Sequence, residues 1–151
     1  MPKFLSNRDV SFFKSIAREL VDDVIQVAVV LYKINQYETK VNIYGESLNK
    51  TWYPGVEIYA LADKEPENVQ YEGFGPDRDQ SVVFKFRELS LKDANFYPEV
   101  GDFILFNDRY HEVNNVVQEQ LLGGQANKSH SIICNTHYSR LSQINLVDRQ
   151  F

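Results

Sequence analysis

Apolar residues recur at helical spacing near the start of the chain. Asn7 precedes this pattern and has a side chain that can cap a helix. The β-branched run over residues 27–32 follows without a polar break and suits a buried strand. The pattern predicts a helix over about 7–25, with one apolar face formed by Phe13, Ile16, Ala17, Leu20, Val21 and Val24.

Short apolar runs separated by turn residues continue to about residue 138. The clearest run is 81–87, in which Val82, Phe84 and Phe86 alternate with more polar positions. Asn107 and Asp108 lie between two such runs and predict a hairpin turn. Period-two alternation places the following residues on the inner face of one sheet or barrel: Ile58, Phe84, Phe86, Phe103, Leu105 and Val113.

This succession of elements predicts a mainly β protein with an N-terminal α-helix, built as a small antiparallel β-barrel or sandwich with long loops. The 151 residues suit a single domain over 1–151. Its parts are the helix at about 7–25, a β-rich body at about 27–138 and a polar tail at about 139–151. A glycine-centred stretch at 118–128 predicts a long mobile loop.

Charge and cysteine content narrow the class of protein. Acidic residues number 21 against 16 basic ones, and this balance argues against tight binding of nucleic acid. The single cysteine, Cys134, cannot form an internal disulfide, which indicates a protein that is intracellular or assembled inside a cell. The N-terminus lacks an apolar run of signal-peptide length, and the run at 27–32 is too short for a membrane span.

The residues that carry chemistry do not form a recognisable catalytic or metal-binding set. His130 and His137 are seven residues apart on one predicted strand and would point to opposite faces, so surface or half-buried histidines, His111 included, are expected. Cys134 stands among apolar residues and is expected to be a buried structural thiol. We therefore expect no enzyme activity, no metal and no cofactor.

Several stretches taken in order resemble a known group of proteins. The resemblance is to the neck proteins of T4-like contractile-tailed bacteriophages, the head-closure or stopper class, and it covers roughly residues 12–138. The order of the pieces is more specific than any one motif. The stretches that carry it are 43–47, 56–61, 74–80, the strand ending in Phe86 and Arg87, 97–104 and 110–113.

The resemblance implies a structural virion protein at the head–tail junction, present in the host cytoplasm during assembly. Copies would form a homo-oligomeric ring, hexameric by this resemblance, that completes and closes the DNA-filled head and docks the tail. Its partners would be a portal-side adaptor protein and a tail terminator, with no membrane. The alternatives are a tail terminator or another head–tail connector ring and, in a different class, a monomeric β-barrel module that binds a ligand or a peptide.

Such a ring needs surfaces for its partners and a wall past which DNA slides without tight binding. An acidic wall would not grip phosphates, and the candidate channel-facing residues are Asp63, Glu65, Glu67 and Glu72. Segments that fold poorly alone are candidates for partner contact, and the residues expected there are Leu121, Leu122, Gly123, Gly124, Leu146, Val147 and Phe151.

Overall fold

A computed structural model describes residues 6–35, 40–41, 47–49, 52–73, 75–120 and 129–139. Helix α1, Asn7–Arg18, continues as a π-helical segment, Glu19–Ile25, and a short helix α2 spans Glu88–Asp93. The strands in this part of the chain are β1 (Ala28–Tyr32), β2 (Lys40–Val41), β3 (Ser47–Asn49), β4 (Val56–Tyr59), β5 (Leu61–Lys64), β6 (Asn68–Glu72), β7 (Gly75–Asp79), β8 (Ser81–Arg87), β9 (Phe103–Phe106), β10 (Arg109–Gln120) and β11 (Ser129–Ser139).

The N-terminal helix has the extent that the sequence predicts, but its cap is one residue earlier. The Ser6 hydroxyl accepts a hydrogen bond from the Asp9 backbone N–H, and the Asp9 carboxylate accepts one from the Ser6 backbone N–H, each at 3.3 Å. This reciprocal capping box satisfies two of the free N–H groups at the helix start. Asn7 is therefore the first helical residue, and the prediction that it caps the helix is wrong.

Seven strands form one antiparallel sheet in the order β4-β1-β9-β10-β11-β8-β5. Its edge strands, β4 and β5, follow each other in the chain with only Ala60 between them. The sheet therefore curls until its two edges almost meet, although no ladder in the described part of the chain joins those edges into a closed barrel. Ala60 is fully buried at this bend, and its N–H donates to the Val27 carbonyl at 2.9 Å. The predicted mainly β fold is confirmed as an open, curled sheet.

The main hydrophobic core lies inside the curl and draws on both halves of the sheet. Its largest fully buried side chains are Phe84, Phe86, Leu31, Leu91, Ile104 and Ile132. A second cluster, formed by Trp52, Phe103 and Tyr110, covers the opposite face, where the Trp52 and Phe103 rings lie edge to face at 4.5 Å. The sheet is thus buried on both faces near its centre.

The predicted inner-face residues divide between these two clusters. Ile58, Phe84, Phe86 and Val113 belong to the main core, as the alternation predicts. Phe103 and Leu105 belong to the second cluster instead, and their neighbour Ile104 occupies the main core. Strand β9 is apolar at every position, so alternation cannot show which of its faces is inside.

The hairpins of the body are longer than the sequence suggests. Asn107 and Asp108 both have positive φ, 49° and 60°, which is the backbone of the expected two-residue hairpin turn between β9 and β10. Strand β10 continues to Gln120, so the loop predicted from residue 118 begins at least three residues too early. Ser139 likewise ends β11 rather than starting a tail, and residues 140–151 lie outside the described part.

Candidate assembly surface

One side of the N-terminal helix is apolar and largely exposed to solvent. Its large side chains are between 38% and 69% exposed. The two adjacent phenylalanine rings lie 6.2 Å apart, so the surface is continuous at this end. Contiguous exposed apolar residues generally mark a contact with another macromolecule. We name this surface the helix stripe, and its members are Phe12, Phe13, Ile16, Leu20 and Val24.

The opposite side of the helix attaches to the sheet through few contacts. Val21 is buried, and Val10, Lys14 and Ala17 are half-buried. An ion pair of 2.8 Å joins Asp22 to Arg87 at the end of β8, where the guanidinium is largely buried. Of the six residues predicted to form the apolar face, only Val21 is therefore in the core. Periodicity identified an apolar helix correctly but could not show that most of that face lies open.

A second exposed apolar surface lies on the hairpin of β6 and β7, which is separate from the seven-stranded sheet. Val69 is 43% exposed and Tyr71 is 83% exposed. They are two residues apart on one strand, so both side chains lie on the same face of the hairpin. We name this hairpin, residues 68–79, the arm. The Val-x-Tyr alternation at residues 69–71 is the sequence signal for this surface, and the residues predicted for partner contact do not include it.

The base of the arm is fixed to the sheet by a buried glutamine. Gln80 is 3% exposed and accepts a hydrogen bond from the Tyr138 backbone N–H through its own carbonyl at 2.9 Å. Its side-chain oxygen accepts from Arg109 at 3.3 Å, and its side-chain nitrogen donates to the Glu65 carbonyl at 3.4 Å. Both chain segments that lead into the arm are therefore held at one place, beside the start of β8.

The four predicted channel-facing carboxylates do not form one row. Asp63 is an exposed residue of edge strand β5, and Glu65 and Glu67 are exposed in the connection that follows it. Glu67 lies 3.6 Å from Arg109 in an ion pair. Glu72 is the last residue of β6 and belongs to the arm. Three of the four thus lie near one edge of the sheet, and the fourth lies further along the arm.

A buried carboxylate fixes the loop before β9 to the end of β1. Asp102 is 1% exposed and accepts hydrogen bonds from the backbone N–H groups of Glu99, at 2.8 Å, and Ile34, at 3.3 Å. Lys33 lies 3.4 Å from it and also donates to the Tyr97 carbonyl at 2.7 Å. Burial raises the pKa of Asp102, and these donors offset part of the rise. The partners of Asp102 are two backbone N–H groups and the Lys33 side chain, so this carboxylate holds the loop before β9 in place.

His111 and Cys134 are the other buried titratable side chains of interest. Burial lowers the pKa of His111 to about 4, and the positive charges of Arg109 and Lys64 add to the effect. The expectation that this histidine would be at the surface or half-buried is wrong, because its neighbours are the rings of Phe84 and Tyr138. Burial raises the pKa of Cys134 to about 12, which fits the expected structural thiol.

The predicted partner-contact residues lie outside the described part of the chain. They are Leu121, Leu122, Gly123, Gly124, Leu146, Val147 and Phe151.

Within the described residues, no group of three or more histidine, cysteine or acidic side chains is placed to hold a metal ion. Nor does that part contain a helix long and apolar enough to cross a membrane. No protein-family model matches the sequence, and a search of curated proteins finds no similar chain.

Proposed function

We propose that this protein is a structural component of the head–tail junction of a contractile-tailed phage. Copies of it form a ring that closes the DNA-filled head and docks the tail. The helix stripe carries the proposal, because its five large apolar side chains lie open to solvent on the described subunit. Such an exposed apolar surface is typical of a subunit that buries it against another protein. The resemblance of the sequence to phage neck proteins supplies the identity of the assembly.

The filled interior of the sheet favours this proposal over a ligand-binding barrel. Phe84, Phe86 and Ile104 are fully buried inside the curl, together with the other members of the main core. A binding module of the barrel type keeps an internal cavity for its ligand. Here side chains occupy that space in the described residues, and the apolar surface lies on the outside. A tail terminator or another connector ring would use the same outer surface, so those roles remain the alternatives within the class.

The proposed ring has protein neighbours on two sides and DNA at its centre. A portal-side adaptor protein lies above it and the tail terminator below. Asp63 on edge strand β5, with Glu65 and Glu67 in the connection that follows it, are the candidate wall residues. Carboxylates on the wall repel the phosphates of passing DNA, so the DNA slides without tight binding.

The oligomeric state of the purified full chain tests the proposal. We expect sedimentation velocity or native mass spectrometry to show one closed oligomer, and negative-stain images to show a ring with a central hole. A monomer at every concentration and in the presence of neck-region partners would contradict the proposal. For the wall, we expect no binding of duplex DNA at low salt, whereas micromolar affinity with a steep salt dependence would contradict it.

A truncation after Ser139 tests the proposed partner contacts of the C-terminal segment. It removes Leu146, Val147 and Phe151 but keeps all of strand β11. We expect the shortened chain to unfold at nearly the same temperature as the full chain and to assemble more weakly. A truncated chain that fails to fold would show that the segment belongs to the core. The full chain, measured at the same concentration, is the control.

A further inference from the structure

We propose that the arm of one subunit docks on the helix stripe of a second copy, with Val69 and Tyr71 packed against Phe12, Phe13 and Ile16. The inference rests on the proposed ring of identical subunits and names the contact that builds it. Its basis is the position, the apolar character and the charge of two surfaces that the described subunit leaves open.

The arm and the helix stripe are attached to the body at opposite ends of strand β8. Strand β8 begins at Ser81, whose carbonyl accepts from the Glu65 N–H at the base of the arm. It ends at Arg87, which is bound to Asp22 of the π-helical segment. Seven residues of extended chain separate the ends by about 20 Å. A contact that joins one end of a subunit to the other end of the next is heterologous, and such contacts generate rings when the rotation closes.

Neither surface is covered by its own subunit. Tyr71 remains 83% exposed on the arm, and Phe12 remains 62% exposed on the helix. An arm that docked on the helix of its own chain would bury both rings. The partner of each surface is therefore on another molecule, and a second copy of this chain provides both complementary parts at once.

The net charges of helix α1, which carries the Phe12, Phe13 and Ile16 end of the helix stripe, and of the arm are opposite. Helix α1 has three basic residues, Arg8, Lys14 and Arg18, and one acidic residue, Asp9, which gives a net charge of +2. The arm has three acidic residues and one basic residue, which gives −2, and these are Glu72, Asp77, Asp79 and Arg78. Opposite net charges of the two elements favour contact between a helix and an arm over contact between two helices or two arms. The contact uses α1 rather than the acidic segment that follows it.

A single charge at the centre of the contact tests the proposal. We expect Tyr71→Asp to weaken self-association about ten-fold or more, because it places a carboxylate in an apolar interface. The thermal unfolding of the variant should match that of the native chain, since Tyr71 makes little contact with its own subunit. Gln70→Asp is the matched control: it adds the same charge at the neighbouring exposed position, on the other face of the arm.

Disulfide cross-linking provides a second test in the full chain. With Phe13→Cys and Tyr71→Cys in one molecule, mild oxidation should link successive copies and give a ladder on a non-reducing gel. Ser15→Cys replaces Phe13→Cys in the control, because Ser15 is exposed on the same helix but lies off the stripe. The native Cys134 does not interfere, since it is fully buried. The control pair should give no ladder.

The outcomes of these experiments distinguish a failure of the arm–helix contact from a failure of the proposed ring. If native protein forms a ring and Tyr71→Asp assembles equally well, the arm–helix contact is wrong and the ring stands. If no ladder forms and the native chain remains a monomer, both are wrong. Binding of the native chain to vesicles of phosphatidylglycerol and phosphatidylcholine through Phe12 and Phe13, without cross-linking to Tyr71, would assign the stripe to a lipid surface and overturn the contact.

Discussion

The buried histidine of β10 makes the stability of this protein depend on pH. His111 is 1% exposed, and its ring packs against the rings of Phe84, Phe106 and Tyr138 at centroid distances of 5.8 to 6.5 Å. Burial is the largest cause of its low pKa, and the positive charges of Arg109 and Lys64 add to it. Protonation inside the fold would place a positive charge among these aromatic rings, with the positive charges of Arg109 and Lys64 nearby.

The magnitude follows from the two pKa values. The pKa is about 4 in the folded protein and 6.5 for an unperturbed histidine. Between these values the unfolded chain binds a proton that the folded protein does not, so the free energy of unfolding falls as the pH falls. The contribution is complete above pH 6.5 and is lost by about pH 4. The full loss is roughly 3 kcal/mol, and between pH 7 and pH 5 it is about 2 kcal/mol.

Denaturant unfolding at pH 7 and at pH 5 measures this loss. Other groups titrate in the same range, so the informative quantity is the difference between the native chain and His111→Leu, which removes the titrating ring at similar volume. The variant should lose about 2 kcal/mol less than the native chain over this interval. His137→Leu is the matched control, because that side chain is 40% exposed on the neighbouring strand. An equal loss in the native chain and in His111→Leu would refute the reasoning.

Three further predictions concern the core, the buried carboxylate and the thiol. Phe84→Ala should lower the free energy of unfolding by about 3–5 kcal/mol in denaturant, whereas Val100→Ala, at an exposed position, should be nearly neutral; equal effects would contradict the core assignment. Asp102→Ala should cost about 1–3 kcal/mol for each backbone N–H that loses its acceptor and should exceed the cost of Lys33→Met, and the reverse order would be inconsistent with the hydrogen bonds. Cys134 should resist a thiol reagent at pH 8 until denaturant is added, because burial raises its pKa to about 12, and rapid labelling of the native protein would disprove its burial.

Local patterns in the sequence were sufficient for most elements of the fold. The N-terminal helix, the strand at Ser81–Arg87 and the turn at Asn107 and Asp108 all lie where the sequence predicts them. Each depends on interactions between residues close in sequence: alternation across one strand, helical spacing, or two residues that tolerate positive φ. Such features are readable without knowledge of the partners that the elements pack against.

The predictions that failed concern residues whose burial is decided by contacts with elements distant in the sequence. Phe103 and Ile104 are equally apolar, and only the arrangement of neighbouring elements assigns one to each face of the sheet. His111 is buried because aromatic rings from three other strands, β8, β9 and β11, pack around it, which no local pattern reveals. The bend at Ala60, which brings the two edges of the sheet together, also depends on long-range pairing of β4 with β1 and of β5 with β8.

The same limit applies to the candidate assembly surface, because residue type alone does not decide whether a side chain is buried within the subunit. Phe84 and Phe12 are the same residue type, yet the first is fully buried and the second is largely exposed. Covering a large apolar side chain contributes roughly 1.5–3 kcal/mol, whereas association of two proteins costs on the order of 4–15 kcal/mol in lost freedom of motion. The proposed contact covers five such side chains, which contribute roughly 7.5–15 kcal/mol, about as much as association costs, so a single contact between the arm and the helix stripe is weak. In the proposed closed ring each subunit would make two such contacts, one through its arm and one through its helix, so closure rather than pairing would stabilise the assembly.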